Sequence, residues 1–332
     1  MTFLKTMASA AALTLVAVAA HAQNSNPAVI FDRGGKFDKS FNQASFEGAE
    51  RFKAETGIEY AEFELQQDAQ REQALRRFAE RGHNPIVVAG FSNASAMEVV
   101  APEFPDTQFV LIDAVVDQPN VRSVVFNEHE GSYLVGMLAA MASDSGTVGF
   151  VGGMDIPLIR KFACGYVQGA KSANPDIVVI QSMTGNTPEA WNSPVGGEIA
   201  KSQIGQGADV VYHAAGGTGV FVLQAAADEG VLGIGVDSNQ NWMHPGSVLT
   251  SMLKRVDVAT YTAMMDAEGG TWTPGIQVLG LAEDGVGYAM DENNEALVTA
   301  DMITAVEAAK AGIIAGDIEV HNYMTDDSCP AM

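Results

Sequence analysis

The sequence predicts an α/β protein with two doubly wound parallel-sheet lobes that face each other across a cleft. Short apolar runs that fit buried strands alternate with helical stretches, a pattern typical of βαβ units and a mainly parallel sheet. The same alternation begins again near residue 128, and the connections between successive elements remain short. These observations favour two similar domains with a ligand site between them.

The first lobe is predicted to open with a strand over residues 28–31, a turn at Gly34 and Gly35, and a helix over 42–53. Its other strands are predicted at 58–65, 85–90, 108–113 and 121–126, and a second helix at 67–81. Ser40 is a candidate N-cap for the first helix. Ligands bind at the carboxyl ends of such strands, so Phe41 could cover a flat ligand, although a core position is the alternative.

The second lobe is predicted to begin with an amphipathic helix over 129–142 and a strand over 147–153 that resembles the opening strand and its glycine turn. Further strands are predicted at 177–183, 208–213, 232–236, 248–253 and 276–281, and helices at 197–206, 219–229, 257–267 and 302–314. The resulting pair of lobes places the expected cleft at the carboxyl ends of both sheets.

Residues 1–22 are predicted to be a secretory signal peptide. Lys5 precedes an apolar run over 8–20, and Ala20-His21-Ala22 forms a small-x-small cleavage site. We therefore expect an exported, soluble protein. Its only cysteines, Cys164 and Cys329, could form a disulfide or remain thiols.

The charge balance bears on the class of partner. The chain has 18 Lys and Arg against 41 Asp and Glu, a formal net charge of −23. Such an acidic chain disfavours nucleic acid as a partner and favours a neutral or cationic ligand over a polyanion.

Three aspartates, Asp32, Asp113 and Asp237, each end a strongly apolar run and should lie at the carboxyl ends of strands. A single aspartate there is commonly a turn or cap residue. Three from both lobes favour a polar ligand with several hydrogen-bond donors, such as a sugar or a nucleoside. Because no histidine pair or calcium-loop pattern accompanies them, no metal site is predicted.

Other candidate residues have two interpretations each. The loop Ala215-Gly216-Gly217-Thr218-Gly219 is neither a P-loop nor a dinucleotide fingerprint, and it could approach a ligand closely or simply turn. Lys254 could donate to a ligand or be solvated, and Trp191 could stack or anchor its loop. No catalytic motif is present, so we predict neither an enzyme nor a cofactor. A nucleoside-cleaving hydrolase is the rival hypothesis, but it lacks a recognisable water-activating group.

An ordered set of motifs adds a family to these inferences. They are Asp38-Lys39-Ser40-Phe41-Asn42-Gln43, Phe109-Val110-Leu111-Ile112-Asp113, Glu130-Gly131-Ser132-Tyr133, Gly149-Phe150-Val151-Gly152-Gly153, the loop at 215–219, Gly235-Val236-Asp237-Ser238 and Ser251-Met252-Leu253-Lys254. Together they closely resemble the basic membrane protein family of substrate-binding proteins for ABC importers. The resemblance runs from about residue 29 to about residue 318.

The resemblance implies the type I periplasmic-binding-protein fold, a hinge, and capture of a nucleoside, with a purine favoured, for delivery to a membrane permease. On that fold we expect an N-terminal lobe of 23–127 plus 250–275 and a C-terminal lobe of 128–249 plus 276–332. A different small polar ligand, a sugar or a signal molecule feeding a sensor, is the alternative.

The resemblance also implies roles for individual residues. Phe41 would stack on the base, Asn42 and Asp113 would read its edge, and Asp32 would assist. Asp237, Lys254 and Gly217 would hold the ribose, and Tyr212 would be the second stacking residue. Many members are lipoproteins with a cysteine at the cleavage site, whereas the first cysteine here is Cys164. We therefore expect a monomer free in the periplasm, not anchored by lipid. Arg33 is an unusual charge beside the expected site and could narrow the choice of substrate or pair with an acid.

Overall fold

The structure is a computed structural model that describes residues 25–331, so the predicted signal peptide over 1–22 lies outside the described residues. Within that range none of the helices combines the length and apolar character that crossing a membrane requires. The strands form two six-stranded sheets, each covered by helices. The two-lobed α/β architecture expected from the alternation of elements is confirmed.

The elements follow one another in a regular alternation. The strands are β1 (Ala28–Phe31), β2 (Ala61–Glu64), β3 (Ile86–Val88), β4 (Phe109–Ile112), β5 (Val121–Phe126), β6 (Thr147–Met154), β7 (Val178–Gly185), β8 (Val210–Ala214), β9 (Leu232–Asp237), β10 (Val248–Lys254), β11 (Gly275–Leu279) and β12 (Val286–Tyr288). The helices are α1 (Phe41–Thr56), α2 (Arg71–Glu80), α3 (Ala94–Val100), α4 (Glu128–Ala142), α5 (Pro157–Ala173), α6 (Val195–Gly205), α7 (Gly219–Asp228), α8 (Val256–Glu268) and α9 (Ala300–Ala315).

The first sheet has the strand order β2-β1-β3-β4-β5-β11 and is parallel throughout. The second has the order β7-β6-β8-β9-β10-β12, and only its pairing of β10 with β12 is antiparallel. The central strands are fully buried because helices cover both faces, which explains their continuous apolar runs.

The sequence predicts that the chain returns to the N-terminal lobe over residues 250–275, and the boundaries in the structure differ from these. Strand β10 belongs to the second sheet, where Leu253 lies opposite Asp237 of β9. Strand β11, expected in the C-terminal lobe, pairs with β5 of the first sheet, where Val278 lies opposite Val125. Helix α8 packs on α1, with Ser45 Oγ 3.0 Å from Thr260 Oγ1. The chain therefore crosses between lobes at 127, near 255, and between 279 and 286.

Helices α4 and α5 approach each other closely because glycines line their contact. A Cβ added at Gly169 would lie 1.9 Å from the carbonyl oxygen of Tyr133, and one at Gly165 would lie 2.3 Å from that of His129. On the other helix, a Cβ at Gly136 would lie 2.2 Å from the carbonyl oxygen of Tyr166. The two helix backbones can therefore touch only where side chains are absent.

Replacing Gly169 by alanine should lower the free energy of unfolding by about 1–3 kcal/mol, the usual cost of overpacking. The methyl group forces the helices apart, and this loss exceeds the gain of about 1 kcal/mol in helix propensity. Urea denaturation measures the change. Gly205→Ala in α6, where a Cβ meets nothing within 4 Å, is the matched control and should not destabilise. Equal stability of both variants would contradict the close contact.

The two cysteines, for which the sequence left two alternatives, form a disulfide with a Cα–Cα distance of 5.7 Å. Cys164 lies in α5 and Cys329 in the C-terminal tail. The Gln168 amide strengthens the same attachment, because it donates to the carbonyl oxygen of His321 at 3.0 Å and accepts from its N–H at 2.8 Å. The tail is therefore fixed along α5.

Candidate functional site

A cleft lies where the carboxyl ends of the two sheets face each other. Its empty volume is about 590 Å³, including space open to solvent, which is in the range of small-molecule sites. Both lobes contribute to its walls. Of the nine predicted ligand-binding residues, the seven that line it are Asp32, Phe41, Asn42, Asp113, Trp191, Asp237 and Lys254.

The other two predicted residues lie outside the walls of the cleft. Tyr212 is fully buried within β8, with its ring centroid 5.1 Å from that of Tyr166 and its hydroxyl 3.3 Å from Ser132 Oγ. It is a core residue, because its strand is covered on both faces, and the stacking role expected for it is wrong. Gly217 is buried within its own loop, and its neighbours Ala215 and Gly216 form the wall of the cleft instead.

Aromatic side chains form much of the apolar wall. Phe41 and Phe91 come from the first lobe, and Phe162 and Trp191 come from the second. Phe91 was not predicted as a site residue, although it directly follows a predicted strand. Phe162, on the face of α5 that turns to the cleft, was not predicted either. Trp191 reaches its position because Gly153 has no side chain: a Cβ there would lie 2.2 Å from the indole ring.

The loop between β1 and α1 is shaped by Asp38. Its carboxylate accepts hydrogen bonds from the backbone N–H groups of Ser40, Asn42 and Gln43 at 2.9–3.1 Å and thereby caps the helix. Burial raises the pKa of Asp38 to about 6. Ser40, the expected cap, makes no capping bond, and its hydroxyl donates instead to Asp237 in the other lobe.

The Asn42 side chain is largely committed to the same loop. Its Nδ2 donates to the carbonyl oxygens of Asp32 at 3.1 Å and Gly35 at 3.2 Å, and its Oδ1 accepts from the Asp32 N–H at 3.0 Å. Both amide hydrogens are used, so only Oδ1 retains hydrogen-bonding capacity. In this conformation Asn42 positions the loop and has no N–H left for a ligand.

Asp32 presents one free carboxylate oxygen to the cleft. Its Oδ1 accepts from Arg71 Nη1 at 2.7 Å and from the Arg33 N–H at 2.8 Å, whereas Oδ2 has no hydrogen-bond partner among residues 25–331. That oxygen lies against Gly90, where a Cβ would be 2.1 Å away. Burial raises the pKa of Asp32 although the charge of Arg71 opposes the shift.

Lys254 is the buried cation of the site. Its Nζ lies 2.7 Å from Asp113 Oδ2 across the lobes, 3.0 Å from Glu128 Oε1 and 5.1 Å from the ring centroid of Phe41. Burial alone would lower the pKa of Lys254, but the charges of Asp113, Glu128 and Asp237 outweigh it and raise that pKa. Lys254 is therefore protonated at neutral pH.

The acids around Lys254 keep unused acceptor capacity. Asp113 Oδ1 is buried without a hydrogen-bond partner in the described part of the chain. Burial raises the pKa of Asp113 and of Asp237 to about 6, against the attraction of Lys254. Both residues have left-handed backbone angles, with φ of 75° and 63°. Such angles are unfavourable for side-chain-bearing residues and concentrate at functional sites.

Hydrogen bonds and an ion pair join the lobes at the rim of the cleft. Gln240 Nε2 donates to the carbonyl oxygen of Lys39 at 2.9 Å, and Ser238 Oγ donates to that of Ser40 at 3.1 Å. Arg33 Nη2 lies 2.7 Å from Glu189 Oε1 of the opposite lobe. The Arg33 guanidinium is therefore engaged with an acid, and the structure shows the lobes in contact.

This geometry can bind a flat molecule with several hydroxyl or amino donors. Rings supply apolar faces, and Asp32, Asp113 and Asp237 supply acceptors from both lobes. Within residues 25–331 no group of three or more His, Cys, Asp or Glu is arranged to hold a metal ion.

Residues 26–322 match the Bmp family, described as "ABC transporter substrate-binding protein PnrA-like". The chain belongs to the Bmp family. It is 33% identical to the ABC transporter nucleoside-binding protein BmpA of Lactococcus lactis subsp. cremoris, over 88% of each chain. It is also 36% identical to an uncharacterized lipoprotein of Pyrococcus abyssi, over 79% of this chain and 68% of that protein.

The same fold is also found in a solved structure. The crystal structure of an ABC transporter solute-binding protein from Aeropyrum pernix K1 superposes with a TM-score of 0.84, at 31% identity, over 91% of this chain and 95% of that chain. The family recognised from the ordered motifs and the periplasmic-binding-protein-like fold are thus confirmed. As a Bmp protein, the chain is an ABC transporter substrate-binding protein, and the family is one of binding proteins rather than enzymes.

Proposed function

We propose that this Bmp protein binds a nucleoside, with a purine favoured, in the interlobe cleft and delivers it to the permease of an ABC importer. The observation that carries the proposal is the combination of aromatic rings and unpaired carboxylate oxygens that converge on one cleft from two lobes. A base needs flat apolar faces, whereas a ribose needs acceptors for its hydroxyls. The Lactococcus relative is named a nucleoside-binding protein, which supports the same ligand class.

The chemistry of capture involves no bond breaking. Phe41 and Phe162, one from each lobe, offer faces or edges to the base, while Asp32 Oδ2 accepts from its amino or ring N–H groups. Asp113, Asp237 and Lys254 lie together deeper in the cleft and would hold the ribose hydroxyls. Because the contacts come from both lobes, the ligand binds the closed arrangement more tightly than an open one.

The proposal includes a monomeric protein that is free in the periplasm. Both cysteines of the sequence are joined in the disulfide, so neither is available for lipid attachment. Under this proposal the chain differs from the Pyrococcus relative, which is named a lipoprotein. Fractionation of the producing cells with detection of the mature chain, followed by intact mass measurement, tests it. A lipid-sized mass increment would contradict the free form.

Calorimetric titration with adenosine, guanosine, inosine, cytidine, uridine, their free bases and ribose tests the proposed function. We expect at least one nucleoside to bind far more tightly than its free base and than ribose, because ring and sugar contacts are both needed. Binding of none of the nucleosides would refute the proposal. Chromatography of the same mixtures should recover the nucleosides intact, and released base would indicate an enzyme instead.

Replacing Asp237 by alanine should weaken nucleoside binding by about 1.5–3 kcal/mol, the range for a hydrogen bond to a charged group. Asp237 lines the cleft beside Lys254 and accepts from Ser40. Calorimetry of the variant measures the loss. Asp228→Ala, at an exposed position at the end of α7, is the control and should leave affinity unchanged. Unaltered affinity of Asp237→Ala would remove this residue from the site.

Nucleoside affinity should fall as the pH is lowered through about 6. Burial raises the pKa of Asp113 and Asp237 to about 6, where they face Lys254, Glu128, Asp38 and Ser40. Hydroxyl donors prefer the ionised acids, so binding lowers their pKa values and protonation opposes binding. Each acid should contribute about a tenfold loss between about pH 7.5 and about pH 5.

Calorimetry across this pH range measures that dependence. Asp237→Asn should flatten part of it, because the amide does not titrate. Affinity that is constant down to about pH 5 would show that the ligand does not depend on ionised carboxylates.

A further inference from the structure

A buried ion pair lies directly behind the cleft and does not line it. Glu128, at the start of α4, places Oε2 2.6 Å from Lys161 Nζ of α5. Its other oxygen, Oε1, lies 3.0 Å from Lys254 Nζ. Lys161 Nζ also donates to the carbonyl oxygen of Phe126 at 2.6 Å, at the end of β5, just before the chain crosses between the lobes.

Packing alone does not explain charges at this position. Glu128 and Lys161 are 0% and 6% exposed, so both lose nearly all their contact with water. Removing two charges from water costs several kcal/mol per ion, and apolar side chains of similar volume usually stabilise a fold equally well or better. The effect of the pair on the position of its neighbour, Lys254, offers a functional reason for these charges.

The geometry of the cluster fixes where the Lys254 ammonium group stands. Asp113 attracts it toward the first lobe, and Glu128 attracts it toward the helix layer of the second lobe, at distances of 2.7 and 3.0 Å. Without Lys161, Glu128 would direct its whole negative charge at Lys254. With Lys161 at its other oxygen, Glu128 divides its attraction, and Lys254 remains in contact with Asp113. Glu128 stays ionised, because both lysines hold its pKa at about 2 although burial opposes them.

We propose that Glu128 and Lys161 are positioning residues for ligand binding, which hold Lys254 on Asp113 so that Asp113 Oδ1 remains available to the ligand. The ligand readout of this inference rests on the proposed function. The pair would act only through Lys254, because neither residue lines the cleft.

The test is a double-mutant cycle between Lys161 of the pair and the residue that the pair positions. The variant Lys161→Met leaves Glu128 to attract Lys254 with its whole negative charge. It is compared with wild type, and the same change is then made in Lys254→Met. Guanosine, inosine and adenosine are each titrated by calorimetry against the four proteins.

We expect Lys161→Met to weaken binding by tenfold or more when Lys254 is present and by less than twofold in the Lys254→Met background. A pair that merely supports the fold would weaken binding equally in both backgrounds, and this outcome would overturn the inference. Unchanged affinity in the Lys254 background would also overturn it. If Lys161→Met does not fold, Lys161→Gln, which keeps a hydrogen-bond donor beside Glu128 but not the charge, replaces it. In either Lys161 variant, adding Glu128→Gln should restore binding, because the neutral side chain no longer draws Lys254 away from Asp113.

A second readout without ligand separates this inference from the proposed function. Urea unfolding of the same four ligand-free proteins should give non-additive changes in the free energy of unfolding. The reason is that Lys161 and Lys254 both contact the carboxylate of Glu128. Additive changes would overturn the inference whether or not a nucleoside binds. Failure of the wild type to bind any nucleoside would refute the proposed function, while the unfolding cycle would still decide the role of the pair.

Discussion

Replacing Lys254 by methionine should lower the free energy of unfolding by about 3–5 kcal/mol at neutral pH, the usual cost of removing one partner from a buried charge cluster. The loss follows because Asp113, Glu128 and Asp237 all interact with this ammonium group, and Lys161 would remain as a partner for Glu128. The same change should weaken nucleoside binding by about 10- to 100-fold, since the charge that faces the cleft is lost.

Urea denaturation and calorimetry measure the two effects of Lys254→Met. Lys201→Met, at an exposed position in α6, is the matched control and should change neither quantity. Adding Asp113→Asn should restore part of the stability, because it removes an unpaired carboxylate, but it should not restore affinity. Wild-type stability of Lys254→Met would mean that the surrounding acids are already neutral.

Removing the disulfide by Cys329→Ser should lower the free energy of unfolding by about 2–5 kcal/mol. The bridge joins residues 165 positions apart, so it restricts the unfolded chain over about half its length. Its loss should also release the tail from α5, the helix that carries Ile159 and Phe162 of the cleft wall. Denaturation with and without reductant measures the change.

Two comparisons control the disulfide prediction. Reduced wild type should match Cys329→Ser, and reductant should have no effect on the variant. Hydrogen exchange should increase first in the tail and the adjoining face of α5. A variant as stable as the oxidised wild type would mean that contacts such as Gln168 with His321 hold the tail without the bridge.

The carboxyl-end rule explains why the rim residues could be predicted from sequence. Asp32, Asp113 and Asp237 follow apolar runs that must be buried strands, so their placement at one edge of each sheet required no three-dimensional knowledge. Tyr212 also belongs to a buried strand, but both faces of that strand are covered. The sequence around Tyr212 could not show against which of the two helix layers its ring packs.

The roles within the first loop depend on backbone angles that the sequence does not reveal. Lys39 has a φ of 63°, which turns Ser40 toward the second lobe and brings Asp38 under the helix terminus. Ser40 directly precedes the helix and serine is a favoured N-cap residue, so the sequence pointed to Ser40. Likewise, the commitment of Asn42 to backbone groups depends on how the chain returns through Gly35.

Contacts between distant segments were beyond the reach of sequence patterns. The run that forms β11 is a short apolar strand that either sheet could accept, and only its pairing with β5 assigns it to the first lobe. Phe162 could be identified as a helix residue, but which face of α5 meets the cleft depends on how the lobes close. The disulfide required two Cα atoms to come within reach, which spacing along the chain does not indicate.

The common strand order of the two sheets relates the halves of the cleft by an approximate two-fold rotation. Asp113 and Asp237 are equivalent under it, since each follows or ends the fourth strand of its lobe with a positive φ. The registers β4–β5 and β9–β10 make Phe126 the counterpart of Lys254. A ligand turned by half a revolution would thus exchange the two carboxylates but lose the contact with the cation, because the equivalent residue, Phe126, carries no charge and does not line the cleft. The cleft therefore distinguishes the two ends of any ligand that contacts Lys254.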